Sequence, residues 1–191
     1  INVFTDTRER AMAIGIWSGV TGLAVAAGPV TGGLLLEHFW WGSIFLVNIP
    51  LADVVWVAGA NVAETFPITT SYIWRARDRG AKLIVQDPRV VPLARTADLF
   101  LPVRPGTDSA LFGSVLHLLI RRDWLDHEFI DAHTLHFDEA AAAVADMTPA
   151  WASGVTGVPA ARIEEAAELW GTSATGMMLH ARGIEQHTKG V

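Results

Sequence analysis

The feature that most constrains this chain is a change in sequence character near Pro50. Residues 11–36 form a run without one charged side chain, and residues 1–50 contain only five charged residues. A membrane-spanning helix needs about 20 mostly apolar residues. From Asp53 onwards charged residues become frequent, and short apolar runs alternate with helical stretches. Two segments suited to different solvents therefore meet here with no linker between them.

The residues that flank the apolar run match those that flank spanning helices. Arg8 and Arg10 precede the run, while Trp40 and Trp41 follow it, where an aromatic belt would lie. The bias of basic residues toward the cytoplasm predicts that the N-terminal end lies inside the cell. The sequence thus predicts a transmembrane-type helix over residues 11–36, with the membrane as its partner.

Small residues within this run carry a more specific signal. Small side chains at spacings of three and four let a second membrane helix approach closely. In order they are Gly15, Ala24, Gly28, Pro29, Gly32 and Gly33. This order resembles the fifth-helix antiporter motif of the major facilitator superfamily, with Ala24 in place of the usual glycine. The segment "RERAMAIGIWSGVTGLAVAAGPVTGGLLLEHFWWGSIFLVNIP" resembles the fourteen-helix drug:proton antiporters, which implies a transporter-like transmembrane fragment over residues 1–50.

After Pro50 the pattern becomes that of an α/β protein. "ADVVWVAGANVAETFP" predicts a strand over residues 54–57 that runs into a glycine turn. A helix over about residues 69–79 and a second apolar strand in "AKLIVQDPR" follow, and strand, helix, strand predicts a parallel sheet. Residues 39–63 also fit a second membrane span, because Asp53 is their one charge. The βαβ pattern that follows favours the strand.

Further elements are predicted downstream. "ADLFLPV" predicts a third short strand and "GMMLHARG" a strand that ends in a glycine turn. Residues 109–120 predict a helix that Thr107 or Asp108 would cap. We also expect one amphipathic helix in "RRDWLDHEFIDAH", an alanine-rich helix over residues 137–146, a helix begun by Thr148-Pro149, and a helix in "TGVPAARIEEAAELW".

Two turns stand where a parallel sheet binds ligands. Gly59-Ala60-Asn61 and Gln86-Asp87-Pro88-Arg89 each follow a strand, and ligands bind beyond the carboxyl ends of such strands. Glycine lets backbone N–H groups approach a phosphate, and a carboxylate accepts hydrogen bonds from ribose or guanine. Many βαβ units have such turns without a nucleotide, so this pattern alone indicates only a candidate site.

The order of four motifs is more specific. "GANVAETFP", "GAKLIVQDPR", "TADLFLPVRPGTDSAL" and "HARGIEQHTKGV" resemble the molybdopterin oxidoreductases that bind molybdenum bis(molybdopterin guanine dinucleotide). The form of "ARGIEQHTKGV" is most similar to assimilatory nitrate reductases, with formate dehydrogenase catalytic subunits close behind. The resemblance implies an α/β, parallel-sheet Rossmann-like domain over residues 52–191, with the pterin dinucleotide as its partner.

The resemblance also implies which residues contact this cofactor. Gly59, Asn61 and Glu64 would hold a pyrophosphate. Gln86, Asp87 and Arg89 would meet the guanosine end, as would Gly106, Thr107 and Asp108. Arg182, Gly183 and Gln186 would lie near a pterin. They bind and orient the cofactor, and no catalytic or metal-ligating side chain is predicted in this chain.

Composition excludes several classes of function. The formal net charge is −6, which gives no basic footprint for nucleic acid. The cysteine count is zero, so this chain binds no cysteine-ligated iron–sulfur cluster, although the intact family usually carries one. The histidines show no paired ligand spacing; His180 and His187 are expected to be partly buried hydrogen-bonding residues rather than proton carriers.

Four functional interpretations follow from the sequence. The first is a fragment of a molybdenum-dependent oxidoreductase, most like assimilatory nitrate reductase and inactive as it stands, and the second is a formate dehydrogenase fragment. The third is a fragment of a multidrug efflux antiporter, and the fourth is an accidental fusion without physiological function. The oxidoreductase part is expected in the cytoplasm and residues 1–50 in the membrane.

Overall fold

A computed structural model describes residues 49–186 of the chain. The chain divides into two units, Ile1–Val47 and Asn48–Val191, and the described residues all belong to the second. The predicted spanning helix over residues 11–36 and the predicted role of His187 therefore lie outside the described residues. Within residues 49–186, no helix has both the length and the apolar character that crossing a bilayer requires.

The first strand lies where the two interpretations of the sequence differed. β1 covers Val54–Ala58, and all five of its residues are buried. It pairs in parallel with two other strands, one on each side. A run of consecutive apolar residues is typical of such a strand, because both faces of a parallel sheet are covered. The strand prediction for residues 54–57 is confirmed, and the alternative of one membrane helix over residues 39–63 is wrong.

Four parallel strands form the sheet, in the order β3-β2-β1-β4. β2 covers Lys82–Gln86, β3 covers Leu99–Leu101 and β4 covers Gly176–His180. The register pairs Ala58 with both Gln86 and His180, so β1, β2 and β4 reach the same edge of the sheet at their carboxyl ends. The predicted α/β class and parallel sheet are confirmed.

Helices connect the strands. Within residues 49–186 the α-helices are, in chain order, α1 (Val62–Thr65), α2 (Pro67–Asp78), α3 (Asp108–Arg121), α4 (His127–His133), α5 (Phe137–Ala143), α6 (Pro149–Thr156), α7 (Ala160–Gly171) and α8 (Arg182–Glu185). Short 3₁₀ helices cover Ile49–Leu51 and Pro92–Arg95. The predicted helices over residues 69–79 and 109–120 correspond to α2 and α3, with ends displaced by no more than two residues.

The hydrophobic core lies mainly on one face of the sheet. Side chains alternate between faces along a strand, and Val54, Trp56 and Ala58 lie in the same buried cluster as Ile84, Leu99 and Leu101. The helices contribute Leu111, Val115, Leu118, Ala152, Ile163, Ala166 and Ala167 to this cluster. The alternate positions Val55, Val57, Leu83 and Val85 are equally buried, so the sheet is covered on both faces.

Two predictions are wrong, one for residues 121–133 and one for the residues that follow β4. Residues 121–133 do not form one amphipathic helix, because α3 continues to Arg121 and Asp123 adopts a left-handed conformation with φ of 57°. α4 then begins at His127, where the Asp126 side chain accepts a hydrogen bond from the Phe129 N–H, and α4 buries no residue. The strand β4 leads into α8 rather than into a glycine turn.

Helix capping follows the sequence at one end and departs from it at another. Thr148-Pro149 begins α6 as predicted, and the Thr148 hydroxyl oxygen caps the helix by accepting a hydrogen bond from the Trp151 N–H at 3.3 Å. At α3 neither predicted cap forms: Thr107 stands at the cap position without a side-chain cap bond, and its hydroxyl donates to the Arg104 carbonyl. The Asp108 carboxylate is engaged elsewhere, in the candidate site.

Candidate functional site

A pocket of about 270 Å³ lies where the loops after β1 and β2 meet the start of α3 and of α8. This is the ligand-binding edge of a parallel sheet. Its lining combines glycine and proline backbone with two carboxylates, an amide and a guanidinium: Gly59, Asn61, Asp87, Pro88, Arg89, Pro105, Asp108 and Gly183. The mixture of acceptors and donors suits a polar ligand better than an apolar one.

Two glycines hold the floor of this pocket together. Gly59 ends β1 with φ of 57°, a left-handed conformation that favours glycine, and its N–H donates to the Gln86 carbonyl at 2.8 Å. The Gly183 N–H in turn donates to the Gly59 carbonyl at 3.2 Å. A Cβ added at Gly183 would lie 2.5 Å from that carbonyl oxygen. The two backbones meet this closely because neither residue carries a side chain.

The turn after β2 places one carboxylate and one guanidinium at the pocket. Asp87 is 4% exposed, and its Oδ1 accepts a hydrogen bond from the Arg89 N–H at 2.8 Å. This local bond shapes the turn and orients the carboxylate. The Arg89 side chain is 74% exposed and its Nε lies 3.8 Å from the same oxygen. Its guanidinium donors therefore remain accessible to an anion, since the contact with Asp87 is long.

A chain of buried hydrogen bonds reaches Asp108 from inside the sheet. The Trp56 indole N–H donates to Gln86 Oε1 at 3.2 Å, and Gln86 Nε2 donates to Asp108 Oδ1 at 2.6 Å. Trp56 and Gln86 are 1% and 0% exposed. A buried amide without partners would be costly, and here both of its polar ends are satisfied. The carboxylate of Asp108 is thereby held in place at the pocket.

Asn61 contributes a polar atom that is left without a partner. Its side-chain Oδ1 is buried and accepts no hydrogen bond from residues 49–186. The backbone carbonyl of the same residue is engaged, because it accepts from the Glu64 and Thr65 N–H groups at the start of α1. Buried polar atoms are nearly always paired with protein, water or ligand. Because the Asn61 side chain also lines the pocket, this acceptor is a candidate contact for a water or a ligand that carries a donor.

The structure brings together part of the predicted set. Six predicted residues line the pocket: Gly59, Asn61, Asp87, Arg89, Asp108 and Gly183. Gln86 lies beneath it and contacts Asp108. The other five do not line it: Glu64 is exposed on α1, Gly106 and Thr107 form the turn before α3, and Arg182 and Gln186 are exposed at the ends of α8.

Sequence reasoning missed three residues of this region. Pro88 and Pro105 line the pocket and are immediate neighbours of predicted residues, so the motifs that contain them could have indicated them. The motifs give Trp56 no role beyond its place in an apolar strand. The available signal is the presence of two polar groups, an indole N–H and a glutamine amide, in adjacent strands whose one other polar side chain is that of Lys82.

Four of the described histidines have a polar partner nearby. His180 is not partly buried as predicted: its side chain is 46% exposed, with Nδ1 3.2 Å from Glu185 Oε1. His117 Nδ1 lies 3.0 Å from the Val144 carbonyl oxygen, while His127 and His136 contact the nearby carboxylates of Asp123 and Glu139. In the part of the chain that the structure describes, no three potential ligands among His, Cys, Asp and Glu are grouped to hold a metal ion.

The family comparison identifies the N-terminal part of the chain. The sequence model of the Major Facilitator Superfamily matches residues 1–102. The last part of this match overlaps β1, β2 and β3. In that overlap the chain folds as a parallel sheet with helical crossovers. The match therefore runs past Pro50 and into the α/β domain.

Curated relatives identify the remainder. The chain is 36% identical over 144 residues to the F420-dependent formate dehydrogenase 1 subunit alpha of Methanococcus maripaludis, which covers 75% of this chain and 21% of the relative. It is 33% identical to formate dehydrogenase H of Escherichia coli, over 75% and 20% of the two chains. It is 34% identical to the assimilatory nitrate reductase catalytic subunit of Bacillus subtilis, over 76% and 20%.

A solved structure supports the same assignment. Acetylene hydratase from Pelobacter acetylenicus superposes with a TM-score of 0.67 at 29% identity, over 70% of this chain and 19% of that one. The chain therefore belongs to the Major Facilitator Superfamily in its N-terminal part and to the molybdopterin oxidoreductases over its C-terminal three quarters, as a chimera of the two. It spans about a fifth of the length of the curated relatives that it matches.

Proposed function

We propose that the pocket at the carboxyl ends of β1 and β2 binds the guanosine end of molybdenum bis(molybdopterin guanine dinucleotide), as part of an oxidoreductase. The observation that carries this proposal is that six residues implied by the motif resemblance line one pocket, and that one of them, Asn61, has an acceptor, Oδ1, without a partner in residues 49–186. A nucleotide supplies the N–H and O–H donors that this acceptor and the nearby carboxylates need.

The donor and acceptor set fits such a ligand. Asp87 and Asp108 offer carboxylate oxygens to ribose hydroxyls or to the N–H groups of guanine, and Arg89 offers guanidinium donors to a phosphate. Gly59 and Gly183, whose backbones meet closely, both line this pocket, so backbone rather than side chain would face a ligand there. When bound, the molybdenum centre of this cofactor supplies the redox chemistry, while these residues bind and orient it.

The remaining predicted contacts are part of the same proposal. Glu64, Gly106 and Thr107 would meet the cofactor at the margin of the pocket rather than in its lining. Arg182 and Gln186, at the two ends of α8, would face the pterin portion. Their exposure leaves them free for a contact of this kind.

For the substrate, we propose nitrate, which the intact enzyme would reduce to nitrite. The form of "ARGIEQHTKGV" supports this choice, as does 34% identity to an assimilatory nitrate reductase catalytic subunit. Formate oxidation is the second candidate, because the identity to a formate dehydrogenase subunit reaches 36%. Both reactions use the same cofactor site, so the pocket geometry serves either.

The nucleotide pocket is testable with guanosine diphosphate (GDP) as the probe. We expect the 191-residue chain to bind GDP in isothermal titration calorimetry, and Asn61→Ala to weaken the binding about tenfold, since a lost hydrogen bond is worth about 1.5 kcal/mol. The same change should leave the free energy of unfolding within about 0.5 kcal/mol, because Oδ1 has no partner in residues 49–186 to lose.

Glu164→Gln is the control for this experiment. Glu164 is exposed on α7 and does not line the pocket. We expect its dissociation constant for GDP to stay within about twofold of the parent, as for most surface changes that remove no contact. No measurable GDP binding by the parent chain, or an equal loss in both variants, would count against the proposed site.

For the chain as a whole, we propose a domain boundary near Pro50 and no oxidoreductase turnover by these 191 residues alone. The transporter-like residues 1–50 would lie in the membrane through the predicted helix over residues 11–36. Residues 52–191 would be a domain from a cytoplasmic oxidoreductase, joined to that segment by accidental fusion. A cysteine count of zero supports the absence of turnover, because the resemblance implies cysteine ligands for the cluster and often for the metal.

Metal content tests this part of the proposal. We expect the 191-residue chain, purified from cells supplied with molybdate, to retain well below one molybdenum atom per chain by inductively coupled plasma mass spectrometry. The physical reason is that a site built on a fifth of a relative's length leaves most of the cofactor surface uncovered. Stoichiometric molybdenum after gel filtration would overturn the proposal.

A further inference from the structure

We infer that Gln86 is a positioning residue, oriented by Trp56, that makes the pocket selective for guanine by fixing the Asp108 carboxylate toward it. The inference rests on the proposed function, in that it concerns the same nucleotide pocket. It goes beyond that function because it assigns the selectivity to two residues inside the sheet that do not line the pocket.

Trp56 fixes the orientation of the Gln86 amide. An indole N–H only donates hydrogen bonds. The Trp56 Nε1 lies 3.2 Å from the Gln86 side chain, so the atom that faces it must be the oxygen, Oε1. The amide nitrogen is thereby turned the other way, toward Asp108. The chemistry of the indole thus fixes an orientation that an amide by itself leaves open.

The oriented Gln86 amide in turn holds the Asp108 carboxylate. Gln86 Nε2 donates to Asp108 Oδ1 at 2.6 Å. This bond occupies one carboxylate oxygen from below, while the residue also lines the pocket. The group that faces a ligand is then an acceptor held in one place. Guanine offers a ring N–H and an exocyclic amino group side by side, and a fixed carboxylate accepts from both.

Trp56 and Gln86 are both held rigidly in the core. Trp56 is 1% exposed and packs between Phe112 and Trp170, with ring centroids 5.6 and 5.8 Å away. Gln86 is 0% exposed and ends β2 in register with Ala58. Neither side chain has room to turn without breaking core contacts. Their hydrogen bonds therefore hold Asp108 in one position, whereas exposed side chains would adopt several conformations.

The test compares GDP with inosine diphosphate (IDP), which differs only by lacking the exocyclic amino group. For the parent chain we expect calorimetry to give a dissociation constant about tenfold lower for GDP than for IDP. Gln86→Met keeps the side-chain length but not the amide. In this variant we expect the dissociation constants for IDP and GDP to differ by less than about twofold. A purely structural role would weaken both nucleotides equally and leave the ratio unchanged, which would overturn the inference.

Trp56→Phe is the second variant and keeps the test decisive if Gln86→Met does not fold. It retains an aromatic ring against Phe112 and Trp170 but removes the indole N–H. We expect the ratio of the IDP dissociation constant to the GDP dissociation constant to fall about threefold from the parent value. The far-ultraviolet circular dichroism spectrum should be unchanged. An unchanged ratio in a folded Trp56→Phe variant would overturn the inference.

The outcomes separate the inference from the proposed function. If the parent chain binds GDP and IDP equally well, the selectivity assigned to Gln86 is wrong while nucleotide binding at the pocket stands. If the parent binds neither nucleotide, the proposed function fails, and the inference fails with it. Discrimination in the parent that is lost in both variants supports the two together.

Discussion

Replacing Gly183 with alanine is expected to lower the free energy of unfolding by about 3 kcal/mol, at the upper end of the cost of forcing one extra carbon into a packed site. The added Cβ would lie 2.5 Å from the Gly59 carbonyl oxygen and 2.9 Å from the Gly59 Cα. Both neighbours are backbone atoms, so they cannot rotate away as the end of a side chain would. The hydrogen bond from the Gly183 N–H to the Gly59 carbonyl would be displaced as well.

The measurement is urea unfolding of the 191-residue chain followed by circular dichroism, with Gly154→Ala as the matched control. Gly154 lies within α6, and no heavy atom stands within 4 Å of an added Cβ. The control should therefore be neutral or more stable by up to about 1 kcal/mol, since alanine is the better helix former. Equal stability of Gly183→Ala and the parent would show that the two backbones do not meet as described.

The sheet was largely predictable because its pattern is local. A continuous apolar run bounded by turn residues indicates a buried parallel strand: β1 is followed by Gly59, and β2 lies between Gly80 and Asp87-Pro88. The start of α6 was predictable from a local pair, Thr148-Pro149, because proline suits the first position of a helix. The region from Arg121 to Asp126 was not, because a left-handed Asp123 leaves no distinctive sequence signal.

The candidate site was predictable in its residues more than in its contacts. Motif order gave six of the residues that line the pocket. The partners of Asp108 were beyond sequence reasoning, because a carboxylate at the start of a helix is usually a cap. Only the register of β1 against β2 brings Trp56 and Gln86 close enough for that carboxylate to be bound from below.

The change in sequence character near Pro50 has a physical consequence for any function of the whole chain. A buried parallel strand starts at Val54, four residues after Pro50, and all of its residues are covered by the α/β domain. A strand of that kind needs partners on both sides, and β2 and β4 supply them. The apolar residues from Val54 onwards are therefore committed to a protein core and are not available to a membrane helix.

A disulfide cross-link tests this central claim most directly. The chain has no cysteine, so engineered thiols would be its only ones. Val57 pairs with Leu179 in the register of β1 with β4, and adjacent strands lie about 4.8 Å apart, within the range that a disulfide spans. We predict that Val57→Cys combined with Leu179→Cys forms an intramolecular disulfide in high yield on oxidative refolding.

The control combines Val57→Cys with Met177→Cys, which moves one thiol two residues along β4 while keeping the same face. That displacement adds about 6.6 Å along the strand and takes the Cα separation beyond the reach of a disulfide. Mass spectrometry should find the cross-link in the first pair and only free thiols in the second. Free thiols in both, in a chain whose circular dichroism matches the parent, would contradict a sheet that begins at Val54.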